Sequence, residues 1–184
     1  MILEENMDLT IDTISKDMVA NAPFEVTDKI LKEANARLKT IRERPLLTKN
    51  IVIYGSPKAW KRHRSSKFSG MYNPSAKEEQ VIQSYFIEEL GEDFPMIHGE
   101  VFLSVDAYRP IPKSMPKSLA ILYDAKALMP TSKPDVDNLC KIIQDALNKV
   151  IYNDDSQITF LKVNKYLSFT PRTEITLSYF NNKI

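Results

Sequence analysis

Cysteine occurs once in the 184 residues, at Cys140, so no disulfide can close within the chain and a reducing compartment is its natural setting. Long hydrophobic runs are missing too. Nowhere do about 18 consecutive apolar residues appear, which excludes an expected membrane span. The first residues, MILEENMDLTIDTISKD, are acidic where a secretory signal is basic, so no export signal is read and a cytoplasmic location is expected. No internal repeat or low-complexity tract is visible.

Charge is absent in bulk but not in distribution. The formal net charge is only +1. Residues 44–77, however, contain no acid at all and carry Arg44, Lys49, Lys58, Lys61, Arg62, Arg64, Lys67 and Lys77. Residues 1–28 carry the reverse, seven acids against Lys16 alone. A basic block of this size, inside a chain of balanced charge, points to a polyanionic partner.

The length suits one compact domain with an appendage. The first 25 residues lack a clear period and are expected to include a flexible arm. From Asp28, Ile30, Leu31, Ala34, Leu38 and Ile41 recur at helical spacing up to Pro45. NIVIYGSP reads as a strand that opens the basic loop, and Val81, Ile82, Tyr85, Phe86 and Leu90 form the apolar stripe of a second helix stopped by Gly91. GEVFLSVDAYRP alternates as a strand, and a proline-punctuated segment with a short helix in its middle follows. A helix over about 137–150 comes next, then two closing strands, QITFLKVNKYL and TEITLSYF, with hairpin spacing. The order β-α-β-α-β-β predicts an α/β fold: a small mixed or antiparallel sheet with helices on one face.

The chemistry concentrates in SKPDVDNLCKIIQDALNKVIYNDDSQI, residues 132–158. Leu139, Ile142, Ile143, Ala146, Leu147 and Val150 share one helix face, which assigns that face to the core and leaves Asp137, Lys141, Asp145 and Asn148 opposite. Pro134 biases Lys133 toward extended backbone, so either Asp135 or Asp137 is placed as N-cap. Asp154 and Asp155 precede a strand expected to pair back near the helix start. Mg²⁺ takes few carboxylates and keeps water and phosphate oxygens in its shell, and Asp135, Asp137 and Asp155 could supply such a partial cage. Lys141 would then face a phosphate. A plainer reading stands beside this one: an aspartate cap, and Asp137–Lys141 or Lys141–Asp145 as surface pairs. An EF-hand loop from Asp135 would need glycine at 140 and glutamate at 146, where Cys140 and Ala146 stand. A dehalogenase-type D-x-D-x-T motif would need threonine where Leu139 stands.

These residues resemble the signature of the RusA family of Holliday junction resolvases, common in phages and prophages. The family pattern opens with Asp-x-Asp-Asn, has a lysine four residues after the second aspartate, continues with Asp-Ala-Leu-Asn and ends in an Asp-Asp pair before a strand. Its parts stand here as Asp135, Asp137-Asn138, Lys141, Asp145-Ala146-Leu147-Asn148 and Asp154-Asp155. IYGSPKAWKRHR and YRPIPKSMPKS also resemble the family, and the likeness covers roughly residues 50–180. The resemblance implies a RusA-like fold over 49–184, with 1–48 as an N-terminal acidic arm and helix. It implies a Mg²⁺-dependent endonuclease, with Mn²⁺ as a possible substitute, that acts as a homodimer and nicks four-way or other branched DNA symmetrically in a bacterial or phage-infected cell. In the family the residues matching Asp135, Asp137 and Asp155 are the essential carboxylates and the one matching Lys141 is important for cleavage. Asp154 ranks second to Asp155. A non-catalytic branched-DNA-binding recombination accessory protein is the alternative.

The basic loop agrees on independent grounds. Lys58, Lys61, Arg62, Arg64 and Lys67 lie within ten residues, with Trp60, His63 and Phe68 among them, a composition suited to phosphate contact and base stacking. Trp60 either stacks on exposed bases or anchors the loop in the core. His63 reads as a phosphate or solvent contact, and His98 as structural.

Overall fold

The computed structural model describes residues 11–62, 64–66 and 70–180. The chain divides into two compact units between Pro45 and Leu46. In the first, α1 (Asp28–Arg42) is capped by Thr27, whose hydroxyl accepts from the Ile30 amide at 3.3 Å. The segment ahead of it is bound back onto the helix. Ile14 N donates to Asn35 Oδ1 at 2.7 Å, Asn35 Nδ2 donates to Ile14 O at 3.1 Å, and Lys16 pairs with Asp28 at 2.8 Å. The flexible arm expected within the first 25 residues therefore does not reach Ile14 and Lys16: the Asn35 amide satisfies the Ile14 backbone in place of water, and the Lys16 ammonium is paired with Asp28.

In the second unit, β1 (Leu46–Tyr54), β4 (Val101–Pro110), β5 (Ile158–Ser168) and β6 (Arg172–Phe180) form one sheet. Two short strands, β2 (Arg64–Ser66) and β3 (Gly70–Tyr72), pair antiparallel within the basic loop. Helix α2 (Ala76–Leu90) precedes β4, and α3 (Lys117–Asp124) and α4 (Val136–Leu147) lie between β4 and β5. The expected α/β architecture with a mixed sheet is present. The strand order is β1-β6-β4-β5, with β4 parallel to β5 and antiparallel to β6.

That order corrects the expected hairpin between the two closing strands. Although they are nearly consecutive, β4 lies between them. Residues 169–171 reach across two strand spacings, about 10 Å, which three linking residues at roughly 3.3 Å each can span. Sequence spacing alone cannot distinguish this crossing from a tight hairpin.

The core lies between the sheet and the pair α2 and α4. Val101, Leu103, Val105, Ile175 and Leu177 project from the sheet against Phe86, Ile142, Ile143, Ala146 and Leu147, all buried. Each large side chain on that seam contributes about 1.5–3 kcal/mol of hydrophobic stabilisation. Gln83 Nε2 donates to Ala146 O at 2.8 Å, satisfying a carbonyl in the last turn of α4 and tying the two helices together. Helix α4 stops at Leu147, short of the expected Val150, because Lys149 takes a left-handed conformation (φ 65°) and its amide donates to Tyr152 O at 2.8 Å. The α2 stripe is only half a core face: Ile82 and Phe86 are buried, but Val81 is 55% exposed.

Candidate functional site

The basic loop is docked onto the start of α4 by its own backbone. Trp60 N donates to Asn138 O at 2.8 Å, and Lys61 N donates to the hydroxyl of Ser75, a residue wholly buried at the head of α2, at 2.9 Å. Lys61 Nζ reaches Glu78 Oε1 at 3.2 Å. These bonds close one side of an open cleft of about 570 Å³, lined among others by Lys58, Trp60, Lys61, Lys133, Asp135 and Asn138. From the other side, Lys165 Nζ on β5 donates to Ser132 O at 2.7 Å and Pro134 O at 3.0 Å, fixing the loop that leads into α4. The cleft therefore sets three cations and an indole against one aspartate.

Asp135 is the N-cap by backbone conformation (φ −75°, ψ 153°), yet its side chain makes no capping hydrogen bond. The exposed carboxylate is left for other work, although an N-cap aspartate ordinarily spends itself on an amide of the first turn. Asp137 is exposed in the first turn of α4. One turn on, Lys141 Nζ stands 3.3 Å from Asp145 Oδ1 and 5.2 Å from the centre of the Trp60 ring. Of the two surface pairs possible from sequence, Lys141–Asp145 is the one that forms. It places the ammonium group against the loop side of the helix.

The second pair of aspartates divides its roles. Asp154 Oδ1 accepts from Ser156 N at 3.0 Å, and Asp154 N donates to Gln157 Oε1 at 3.1 Å, a capping box on the short 3-10 helix Asp155–Gln157. Those hydrogen bonds from Ser156 hold the Asp154 carboxyl below the usual carboxylate range. Gln157 Nε2 bonds Ile97 O at 3.0 Å and Gly99 O at 2.8 Å, so the cap is anchored to the segment before β4. Asp155 is exposed at the start of that 3-10 helix. Nearby, Tyr152 is fully buried and its hydroxyl donates to Gln144 O at 3.1 Å, which ties the turn carrying Asp155 to the side of α4. Burial pushes the Tyr152 hydroxyl up, and the Asp155 carboxylate adds to the shift.

The profile of the family described as Endodeoxyribonuclease RusA matches residues 54–178, which span the loop, α4, Asp155 and all of β5. The chain belongs to the RusA endodeoxyribonuclease family. A Bacillus subtilis (strain 168) relative, the uncharacterized protein YqaN, is 39% identical over 133 residues, 68% of this chain and 92% of that protein. A shorter match, 45% identical over 49 residues, links 26% of this chain to 37% of a crossover junction endodeoxyribonuclease of Lactococcus phage r1t.

Among the residues predicted for this RusA-family site, Asp135, Lys58, Trp60 and Lys61 share the cleft. Lys141 joins them through the Trp60 ring. Arg62 is exposed just beyond Lys61, Arg64 begins β2, and Lys67 lies outside the described residues, as do His63 and Phe68. Trp60 is half-buried and packs against the core cluster, so it both anchors the loop and faces the cleft. Among the described residues, no three or more His, Cys, Asp or Glu side chains converge to hold a metal ion. The donors are nevertheless of the right kind. Exposed carboxylate oxygens suit a hard divalent ion, which takes few protein carboxylates and completes its shell with water and substrate phosphate.

Sequence reasoning missed the residues that position this site. Ser75 and Asn138 hold the loop, and Lys165 holds the approach to α4 from 31 residues beyond Pro134. Asn138 was quoted in the signature, but neither its carbonyl nor the hydroxyl of Ser75 was linked to the loop. His98 is expected from sequence to be structural. Its Nδ1 lies 2.7 Å from Asn153 Nδ2, beside Asp154.

Proposed function

We propose that this protein is a Mg²⁺-dependent endonuclease that nicks four-way DNA junctions symmetrically as a homodimer, with Mn²⁺ able to substitute. One observation carries the reading: the cleft that sets Lys58, Trp60 and Lys61 against the uncommitted carboxylate of Asp135. Membership of a family of metal-dependent nucleases supports it. Asp135, Asp137 and Asp155 would hold the ion. When bound, it supplies Lewis-acid polarisation of the phosphodiester and a more acidic attacking water. Asp154 ranks behind Asp155 because its oxygen is engaged in the cap.

The protein's own groups do the remaining work. Lys58, Lys61 and Arg62, with Arg64 and Lys67 farther along the loop, neutralise strand phosphates. Trp60 offers a ring face to a base near the branch. Lys141 balances the charge that grows on the phosphate as it is attacked, and Asp145 holds that lysine in place until DNA arrives. A two-fold pair of subunits presents two such sites to strands related by the symmetry of the junction.

The test is cleavage of synthetic four-way, three-way and linear DNA, side by side, with Mg²⁺, with Mn²⁺ and with chelator. Paired nicks on the four-way junction, dependent on the ion, are expected. Tight junction binding with no cleavage under either metal would replace this reading with that of an accessory binding protein.

A further inference from the structure

A second concavity adjoins the cleft and is not used by anything above. It occupies about 390 Å³ between the end of β1 and α2, within the roughly 300–1,000 Å³ of pockets that bury small ligands. Its floor is apolar, built from Leu139 and Ile143 of α4 and Ala107 of β4. Its mouth is flanked by Tyr54 and Val81, which are 69% and 55% exposed, and Tyr85 also lines it. Two large apolar side chains left uncovered beside one hollow, and rimmed by charge, mark a place where something binds.

We infer that this pocket receives one unstacked nucleobase of the DNA held in the neighbouring cleft. The inference rests on the reading of that cleft as a DNA site. Ser56, Pro57 and Lys58 line both concavities, so a phosphate at Lys58 sits on the ridge between them. Lys77 stands on the α2 side, and Glu78, the only acid among the described lining residues, is already paired with Lys61. A strand crossing the ridge thus meets cations on both sides and a tyrosine-lined hollow between them. That is the chemistry of a flat, aromatic, uncharged group carried on an anionic backbone. An alkyl chain would use the floor but not the lysines, whereas a free phosphate would use the lysines but not the floor. Bases inside a duplex are out of reach, but those at the branch of a junction can leave the stack at small cost.

Fluorescence anisotropy on the full chain, without divalent ion, tests this. The probes are an intact four-way junction and a series in which single nucleotides near the branch are replaced, one at a time, by an abasic residue that keeps the phosphate. At one position the abasic probe should bind wild type about tenfold more weakly, the lower range for a base stacked on aromatic side chains. Val81→Trp fills the mouth from an exposed site, so it should bind the intact junction about tenfold more weakly and show no further loss on that abasic probe. Tyr54→Ala, also exposed, should shrink the abasic penalty. Wild type that binds the intact junction but is indifferent to every abasic position overturns the pocket and leaves the DNA reading standing. An unchanged abasic penalty in Val81→Trp overturns it as well. Absence of junction binding by wild type removes both readings.

Discussion

Replacing Lys141 with methionine separates the surface contacts of its ammonium group from the role in cleavage proposed for it. In the free protein Lys141 Nζ is 3.3 Å from Asp145 Oδ1, with the two side chains 44% and 27% exposed, and 5.2 Å from the Trp60 ring centre. A helical i,i+4 pair at that exposure contributes about 0.3–0.5 kcal/mol, and a partly solvated cation–π contact about 0.5–1 kcal/mol. Methionine keeps the stem and its packing, so the whole cost is about 0.8–1.5 kcal/mol. In a chain of this length that lowers Tm by roughly 2–6 °C. Losing a cation at the developing phosphate charge costs far more in rate, about 100-fold or greater. Asp145→Asn is the control, since it breaks the same ion pair but keeps the lysine charge. The assay is single-turnover nicking of a four-way junction with saturating metal, beside thermal unfolding of each variant. We expect Lys141→Met to lose at least about 100-fold in rate and Asp145→Asn to stay within about threefold of wild type, at similar Tm. Equal nicking rates for the two variants would show that Lys141 only holds the helix surface, and the argument for its role in cleavage would fail.

Asp135→Asn, Asp137→Asn and Asp155→Asn should each keep the fold and junction binding and lose cleavage by about 100-fold or more, because asparagine retains volume and capping ability but not the ligand charge; near-normal cleavage in any one removes that residue from the site. Leu147→Ala, at the fully buried last residue of α4, should cost about 2–5 kcal/mol in urea unfolding, and a loss below about 1 kcal/mol would contradict the packing described. Burial pushes the Cys140 thiol from its ordinary value near 9.0 up to about 11. Unfolding therefore releases a proton in that window, so stability should fall as pH rises from 9 to 11, and Cys140→Ala should flatten part of that fall in denaturant titrations. Sedimentation should return the mass of two chains at working concentrations, and a monomer whose nicking is first order in protein would count against the paired-site mechanism.

Periodicity along one segment determined α4 before any fold was known. Leu139, Ile142, Ile143, Ala146 and Leu147 are buried as their spacing requires, since which side of a helix is apolar depends only on residues a turn apart. The basic block and the aspartate signature were equally local, and the signature and the basic loop from Lys58 to Lys67 fall within the family match. Strand order was not legible, because β1 finds its partner in β6 more than a hundred residues later and β4 enters between β5 and β6. Nothing in the spacing of the last two strands records that insertion. The same holds for function at the level of single groups. Asp135 and Asp154 look alike in sequence, but one keeps its carboxylate off the cap and opens on the cleft, while the other spends it on Ser156 N. Val81 follows the apolar stripe of α2 and yet stays exposed, because the space opposite it is the hollow beside Tyr54 and not another helix. Local pattern fixes what a residue can do, and long-range packing decides which of those things it is left free to do.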